Sequence, residues 1–196
     1  PPGFDEVSNV CGSCHTATQA YYLQSKHASG ATGTPKCVTC HGRYDVGVPS
    51  ETMFIGNTSR DCKSCHADGT PQAQAVKDIY TSLYDSAAKL DQAVRATGYA
   101  GTLALITAPE DVKIAQAKTS LITARAAQHT LNLKTIQENT GKSGKMSENV
   151  ISDAEKAVGD SFFRREVMGI GLAIMALSIL SLWIIRREMY KRLPPE

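Results

Sequence analysis

The sequence predicts a mainly α-helical protein in three parts. These are a loop-rich N-terminal domain (residues 1–70), an antiparallel helical hairpin (71–160), and a single C-terminal transmembrane helix with a short tail (161–196). Three observations predict this division. All six cysteines lie between Cys11 and Cys65. Apolar residues then recur at spacings of three and four, as on one face of a helix. Residues 167–185 contain no charged side chain.

The N-terminal domain carries three copies of the motif Cys-x-x-Cys-His, which begin at Cys11, Cys37 and Cys62. This motif is the attachment signature of c-type haem. Its two thiols form thioethers with the haem vinyl groups, and the histidine that follows reaches the iron as an axial ligand. The sequence thus predicts three covalently bound haem c groups. The predicted attachment residues are Cys11, Cys14, Cys37, Cys40, Cys62 and Cys65, and the predicted axial ligands are His15, His41 and His66.

A zinc site and three disulfides are the other uses that six exported cysteines can have. Zinc would leave one Cys-x-x-Cys pair without a partner, and neither use explains a histidine after every second cysteine. Residues 1–70 also hold few apolar side chains between many turn-forming glycines and prolines. Three haems would supply the missing apolar core, so the domain is expected to be haem-cored, with short helical turns that carry the histidines.

Two segments carry a family resemblance, Ser25-Lys26-His27-Ala28 and the run Cys37-Val-Thr-Cys-His-Gly42. They resemble the multihaem c-type cytochrome superfamily, which includes the NapC/NirT-type quinol dehydrogenases and the multihaem nitrite and hydroxylamine enzymes. The resemblance is confined to the N-terminal domain. It implies that His27 gives the distal ligand to a haem other than its nearest neighbour in sequence. NapC/NirT-type proteins differ in having an N-terminal anchor and four haems, so their quinol site is not carried over.

Two amphipathic helices are predicted within residues 71–160. The first ends near Gly98, and its apolar stripe is Val76, Ile79, Leu83, Ala87, Leu90 and Val94. The second begins after Thr107, where Pro109 and Glu110 complete a capping-box pattern, and it ends at Gly141. Its stripe is Ile122, Ala126, His129, Leu133 and Ile136. Two such helices are expected to pack as an antiparallel hairpin.

His129 is a candidate iron ligand. A lone histidine on an apolar helical stripe is ordinarily a packed, hydrogen-bonded core residue. Here three irons need sixth ligands, and only His27 and His129 remain beyond the attachment histidines. Neutral imidazole binds iron well, so the hairpin is expected to fold back onto the haems. One iron is then left five-coordinate or bound by a methionine, for which Met53 and Met146 are the candidates.

Residues 167–185 are predicted to form the transmembrane helix. At 1.5 Å per residue this segment spans roughly 28 Å, close to the hydrocarbon thickness of a bilayer. Arginine pairs at 164–165 and 186–187 flank it on both sides, so charge does not decide its orientation. Haem is attached outside the cytoplasm. The haem domain is therefore expected to be periplasmic, on a bacterial or archaeal cytoplasmic membrane, with a cytoplasmic C-terminus.

The expected function is an electron relay held beside the membrane, between a membrane redox complex or quinol-oxidising partner and a periplasmic or extracellular acceptor. The expected partners are other redox proteins, which include a larger respiratory or photosynthetic complex bound through the transmembrane helix. The alternative function is reduction of nitrogen or sulfur oxyanions at an open haem, although no acid–base constellation supports it. A haem sensor is disfavoured because the short tail at 186–196 offers no output domain. A net charge of +2 with scattered cations argues against nucleic-acid binding.

Overall fold

The computed structural model describes residues 3–29, 33–47, 49–56 and 60–192. These described ranges are mainly helical and contain no β-strand. Their helices are α1 (Val7–Gly12), α2 (Thr16–Tyr22), α3 (Cys37–His41), α4 (Pro71–Thr102), α5 (Ala108–Ala127) and α6 (Leu133–Arg192). Four 3-10 turns accompany them, at Phe4–Glu6, Glu51–Phe54, Cys62–Ser64 and Gln128–Thr130.

The three long helices form an up-down-up bundle, where the sequence predicted a two-helix hairpin. The Ser86 hydroxyl of α4 donates to the Thr140 carbonyl of α6 at 3.2 Å. Lys113, in the first turns of α5, forms an ion pair at 2.6 Å with Asp153, which lies well along α6. A second contact, the ion pair of Lys89 with Glu148, lies further along both α4 and α6, so these two helices run parallel and α5 runs antiparallel to them. The segment after Leu133 supplies the third helix instead of ending the second.

The bundle core is narrow and is built largely from small side chains. Its buried positions recur at spacings of three and four along each helix. They are Ile79, Leu83, Ser86, Leu90, Ala93, Thr97 and Ala100 in α4, Ile114, Ala117, Leu121, Ala124 and Ala127 in α5, and Ile136, Thr140, Ser143, Ser147, Val150 and Ala154 in α6. Alanine, serine and threonine let the helix backbones approach closely, so the seam continues where large apolar residues are absent.

Helix α4 does not end near Gly98. It continues to Thr102 because Thr97 and Ala100 are buried on the same seam as Leu90 and Ala93. A glycine inside a helix costs about 1 kcal/mol relative to alanine, which is less than the packing of the turns on either side. Its beginning follows the expected chemistry: the Thr70 hydroxyl accepts the Ala73 N–H at 3.2 Å and Pro71 occupies the first turn.

Helix α5 begins after Thr107, as predicted, but the capping box does not form. The Thr107 hydroxyl donates to the Asp111 carboxylate at 3.2 Å instead of accepting a backbone N–H. The helix ends at Ala127 rather than Gly141, and the predicted stripe is one position out of register, since Leu121 is buried and Ile122 is 64% exposed.

A tight reversal separates α5 from α6. Leu131 adopts a left-handed backbone with φ of 56°, which turns the chain back on itself. The side-chain carbonyl of Asn132 accepts the Thr135 N–H at 3.4 Å and so caps the start of α6. His129 lies in the 3-10 turn Gln128–Thr130 that precedes this reversal, and not on a helical stripe.

Helix α6 is continuous over Leu133–Arg192, a length of about 90 Å at 1.5 Å per residue. Among the described residues, one helix is long and apolar enough to cross a membrane, and it is this one. The apolar residues of the predicted span 167–185 are exposed and pack against no other described element. The first half of α6 belongs to the bundle, whereas the second half extends beyond it.

The N-terminal domain sits on the end of the bundle where α4 and α6 begin and α5 ends. Helix α2 packs against α5 and the Gln128–Thr130 turn, and the Glu51–Phe54 and Cys62–Ser64 turns pack against α4. An ion pair at 2.6 Å between Arg125 and Glu51 joins α5 to the domain. From Leu133 to Val167 the helix rises about 50 Å, so the domain and the apolar segment lie at opposite ends of the bundle.

Candidate functional site

Each Cys-x-x-Cys-His motif folds into one helical turn. In the first motif the His15 N–H donates to the Cys11 carbonyl at 2.9 Å, and in the third the His66 N–H donates to the Cys62 carbonyl at 2.9 Å. The second motif forms α3 itself. Asp61 begins the third turn, because its carboxylate accepts the Ser64 N–H at 3.0 Å. The local fold therefore presents two thiols and the following imidazole from a single turn, as thioether attachment requires.

The three motifs lie next to one another, with the second in the middle. Helix α1 of the first motif packs against α3, and the thiols of Cys11 and Cys37 are within hydrogen-bonding reach. On its other side Cys40 is near enough to Cys65 and Cys62 for their charges to interact. The order in space is the order in sequence.

All six thiols are free. Burial raises the pKa of Cys37 and Cys40, and it raises the pKa of Cys62 to about 11, so these thiols are protonated at neutral pH. The described residues hold no group of three or more His, Cys, Asp or Glu side chains that could bind a metal ion. The four-ligand set of a structural zinc site is therefore not assembled among them.

His27 faces His66 across the third motif. The ring centres are 6.2 Å apart and the ring planes differ by 13°. His27 follows α2 and lies between the first and second motifs in sequence, so the structure brings it to a motif that is neither of its sequence neighbours. Burial, and then the charge of His66, lowers the pKa of His27. The imidazole is therefore neutral at pH 7, the state in which it can bind a metal.

His129 faces His41 of the second motif in the same way. Their ring centres are also 6.2 Å apart, and their planes differ by 24°. Burial is the main cause that lowers the pKa of both imidazoles. The Nδ1 atom of His129 lies 3.0 Å from the Ala126 carbonyl, which can only accept, so Nδ1 carries the proton and donates it. This hydrogen bond leaves the lone pair on Nε2, which is the arrangement typical of metal-binding histidines.

The geometry of the two pairs fits a haem iron. A metal held between two imidazole nitrogens at about 2 Å from each places the ring centres roughly 6 Å apart. Both measured separations meet this requirement, and each pair contains one motif histidine and one histidine from elsewhere in the chain.

A cavity of about 820 Å³ borders both His27 and His66. It is lined by Cys65 and by apolar side chains that include Phe4, Pro35 and Val38. The hydroxyl of Thr34, which also lines the cavity, is buried and has no hydrogen-bonding partner among the described residues. A buried polar atom without a partner, beside an apolar cavity next to a motif cysteine, is consistent with a site for a large apolar group that carries polar substituents.

His15, Met53 and Met146 are not joined to either pair. The chain has five histidines, and the two pairs use four of them, so His15 has no histidine opposite it. Met146 packs against the core of the bundle. Met53 lies in the Glu51–Phe54 turn, which packs against α4 and the third motif.

Comparison with known proteins gave one result: no family model, no curated protein and no solved structure matches this chain.

Proposed function

We propose that this protein is a membrane-anchored trihaem c-type cytochrome that relays electrons between partner proteins. The observation that carries the proposal is the opposition of His27 to His66 and of His129 to His41, each at 6.2 Å. Two motif histidines each meet a second imidazole at the spacing of a six-coordinate iron. A zinc or disulfide use of the cysteines gives no reason for this spacing.

In this proposal the cysteines attach the haems and the histidines bind the irons. The haem supplies the redox chemistry, since its iron gains and loses a single electron. The cysteines would hold each haem covalently, and the three motif histidines would each supply one ligand to an iron. His27 and His129 would supply a second ligand at the third and second motifs, which would exclude small substrates there and favour electron transfer over catalysis.

The order of the motifs suggests a route. The second motif lies beside both others, because α1 of the first motif packs against α3, and Val38 of the second motif and Cys65 of the third line the same cavity. An electron that enters at either end of the cluster would pass through the centre carried by α3. The single-file order gives the relay two ends, at which two different partners can dock.

The bundle determines where those partners are. With residues 167–185 in the bilayer, the part of α6 between Leu133 and Val167 holds the motifs about 50 Å from the hydrocarbon. In this proposal the cluster therefore stands well away from the membrane surface, whereas the expectation from the sequence was a cluster beside the membrane. A quinol within the bilayer is too far away to donate directly, so both partners are redox proteins or domains that reach this height. The motifs lie on the periplasmic side and the C-terminus in the cytoplasm, since haem is attached outside.

The full-length chain, purified in mild detergent from native membranes, tests the cofactor content. The denatured chain should exceed the mass of the polypeptide by three haems, and a Cys37→Ser/Cys40→Ser variant should exceed it by two. A denatured wild-type chain with the mass of the bare polypeptide contradicts the proposal.

Rapid mixing tests the relay. The reduced protein should be oxidised quickly by a soluble c-type cytochrome and slowly by a quinone confined to the micelle. Turnover of nitrite, hydroxylamine or sulfite by the isolated chain would support the reductase alternative instead.

A further inference from the structure

We propose that the haem attached at Cys11 and Cys14 has His15 as its one protein ligand and binds a small exogenous ligand on its other side. This inference rests on the proposed function, because it requires haem at all three motifs. The ligand class is that of small uncharged molecules which donate a lone pair to ferrous iron, of the size of carbon monoxide or nitric oxide. Binding forms one coordination bond and breaks none.

The supply of histidine is the first argument. All five histidines of the chain lie in described residues, and four of them are committed to the two facing pairs. His129 is held in its pair by the hydrogen bond from Nδ1 to the Ala126 carbonyl. A swap that gave His15 a histidine partner would leave the second or third iron without one.

The positions of the methionines are the second argument. Met146 is packed into the bundle on α6. Met168, Met175 and Met189 lie within or beyond the apolar segment, about 50 Å or more from the start of α6. Met53 is the remaining methionine. Its 3-10 turn packs against α4 and the Cys62–Ser64 turn, and the ion pair between Glu51 and Arg125 fixes that turn to α5. The first motif packs instead against α2 and α3.

Access is the third argument. His15 is exposed, whereas the other two motif histidines, His41 and His66, are half-buried. Helix α1 of the first motif packs against α3, so the second motif lies next to the first. A small ligand bound to this iron, on the side opposite His15, would therefore lie at one end of the electron route and exchange with solvent.

The test is the stoichiometry of carbon monoxide binding to the full-length, dithionite-reduced protein in detergent, followed by its absorption spectrum. The wild type should bind one carbon monoxide per three haems. The variants His27→Ala and His129→Ala should each bind two, because each opens a further iron. Met53→Ala should bind one, as the wild type does.

Other outcomes separate the possible failures. A wild type that binds none, with Met53→Ala binding one, assigns Met53 to the first iron and overturns the inference. A wild type and Met53→Ala that both bind none show another protein ligand there and overturn it as well. A chain without covalent haem by mass spectrometry overturns the proposed function itself. In the oxidised protein, a high-spin ferric signal from one third of the iron is the independent readout expected.

Discussion

The imidazole rings of His41 and His129 lie 6.2 Å apart, centre to centre, although one belongs to a short helix in the N-terminal domain and the other to the turn between α5 and α6. A histidine of the N-terminal domain therefore lies opposite a histidine of the bundle, and the two rings do not bond to each other directly.

Replacing His129 by alanine should convert one low-spin iron to high spin and leave a second low-spin iron unchanged. The reason is that His27 and His66 form a separate pair. Electron paramagnetic resonance of the oxidised protein measures both populations. Gln128→Ala, in the same turn, is the matched control and should keep the wild-type spectrum; a wild-type spectrum in His129→Ala would return His129 to the role of a core residue.

Leu121→Ala should destabilise the bundle by about 2–5 kcal/mol, the usual cost of removing a buried leucine side chain. Leu121 is 3% exposed, whereas its neighbour Ile122 is 64% exposed. Ile122→Ala should therefore change the free energy of unfolding by less than about 0.5 kcal/mol. Urea denaturation followed by circular dichroism compares the two variants. Equal losses would mean that α5 packs in another register.

A variant in which all six cysteines are replaced by serine should keep most of its helix. The bundle has its own buried core, which includes Ile79, Leu83 and Ile136, whereas the N-terminal domain contributes few buried apolar side chains. Far-ultraviolet circular dichroism should show the helical signal of α4 to α6, while limited proteolysis should cut within residues 3–70. Protection of that region in the variant would show that it folds without its cofactors.

A reporter fused after residue 196 should be active if it is one that works in the cytoplasm, and inactive if it is one that works only in the periplasm. The prediction follows from one apolar segment at 167–185 and from attachment of haem on the outer side. Alkaline phosphatase and a fluorescent protein, fused in turn at the same position, form the matched pair. Activity of the phosphatase fusion would reverse the orientation.

The sequence predicted those features whose chemistry is local. The three motif turns and the start of α5 after Thr107 depend on residues within one turn of one another. The apolar segment 167–185 is likewise a property of a continuous run. Each of these lies where predicted, although the Thr107 side chain bonds to Asp111 rather than to the backbone.

The third helix was missed because its buried seam is made of Thr140, Ser143 and Ser147 instead of large apolar residues. Serine and threonine at a spacing of three and four are a weak signal for burial, and Gly141 resembled a helix end. Asn132, which caps α6, was the signal that marked a new helix start. The two facing histidine pairs could not be derived from sequence, since each joins residues that only the tertiary fold brings together.

Helix α6 is continuous from the bundle to Arg192, so the bundle and the apolar segment have a fixed rotation relative to each other about the helix axis. Each residue of an α-helix turns the chain by about 100°, so the direction in which the motif cluster faces is set by helical phase. Two residues inserted between the bundle and residue 167 would turn the cluster by roughly 200°, toward the opposite side of the anchor. Seven would restore its heading to within about 20° while raising it by about 10 Å. For a partner anchored in the same membrane, the number of residues in this stretch therefore determines both the direction in which the motif cluster faces and its height above the anchor.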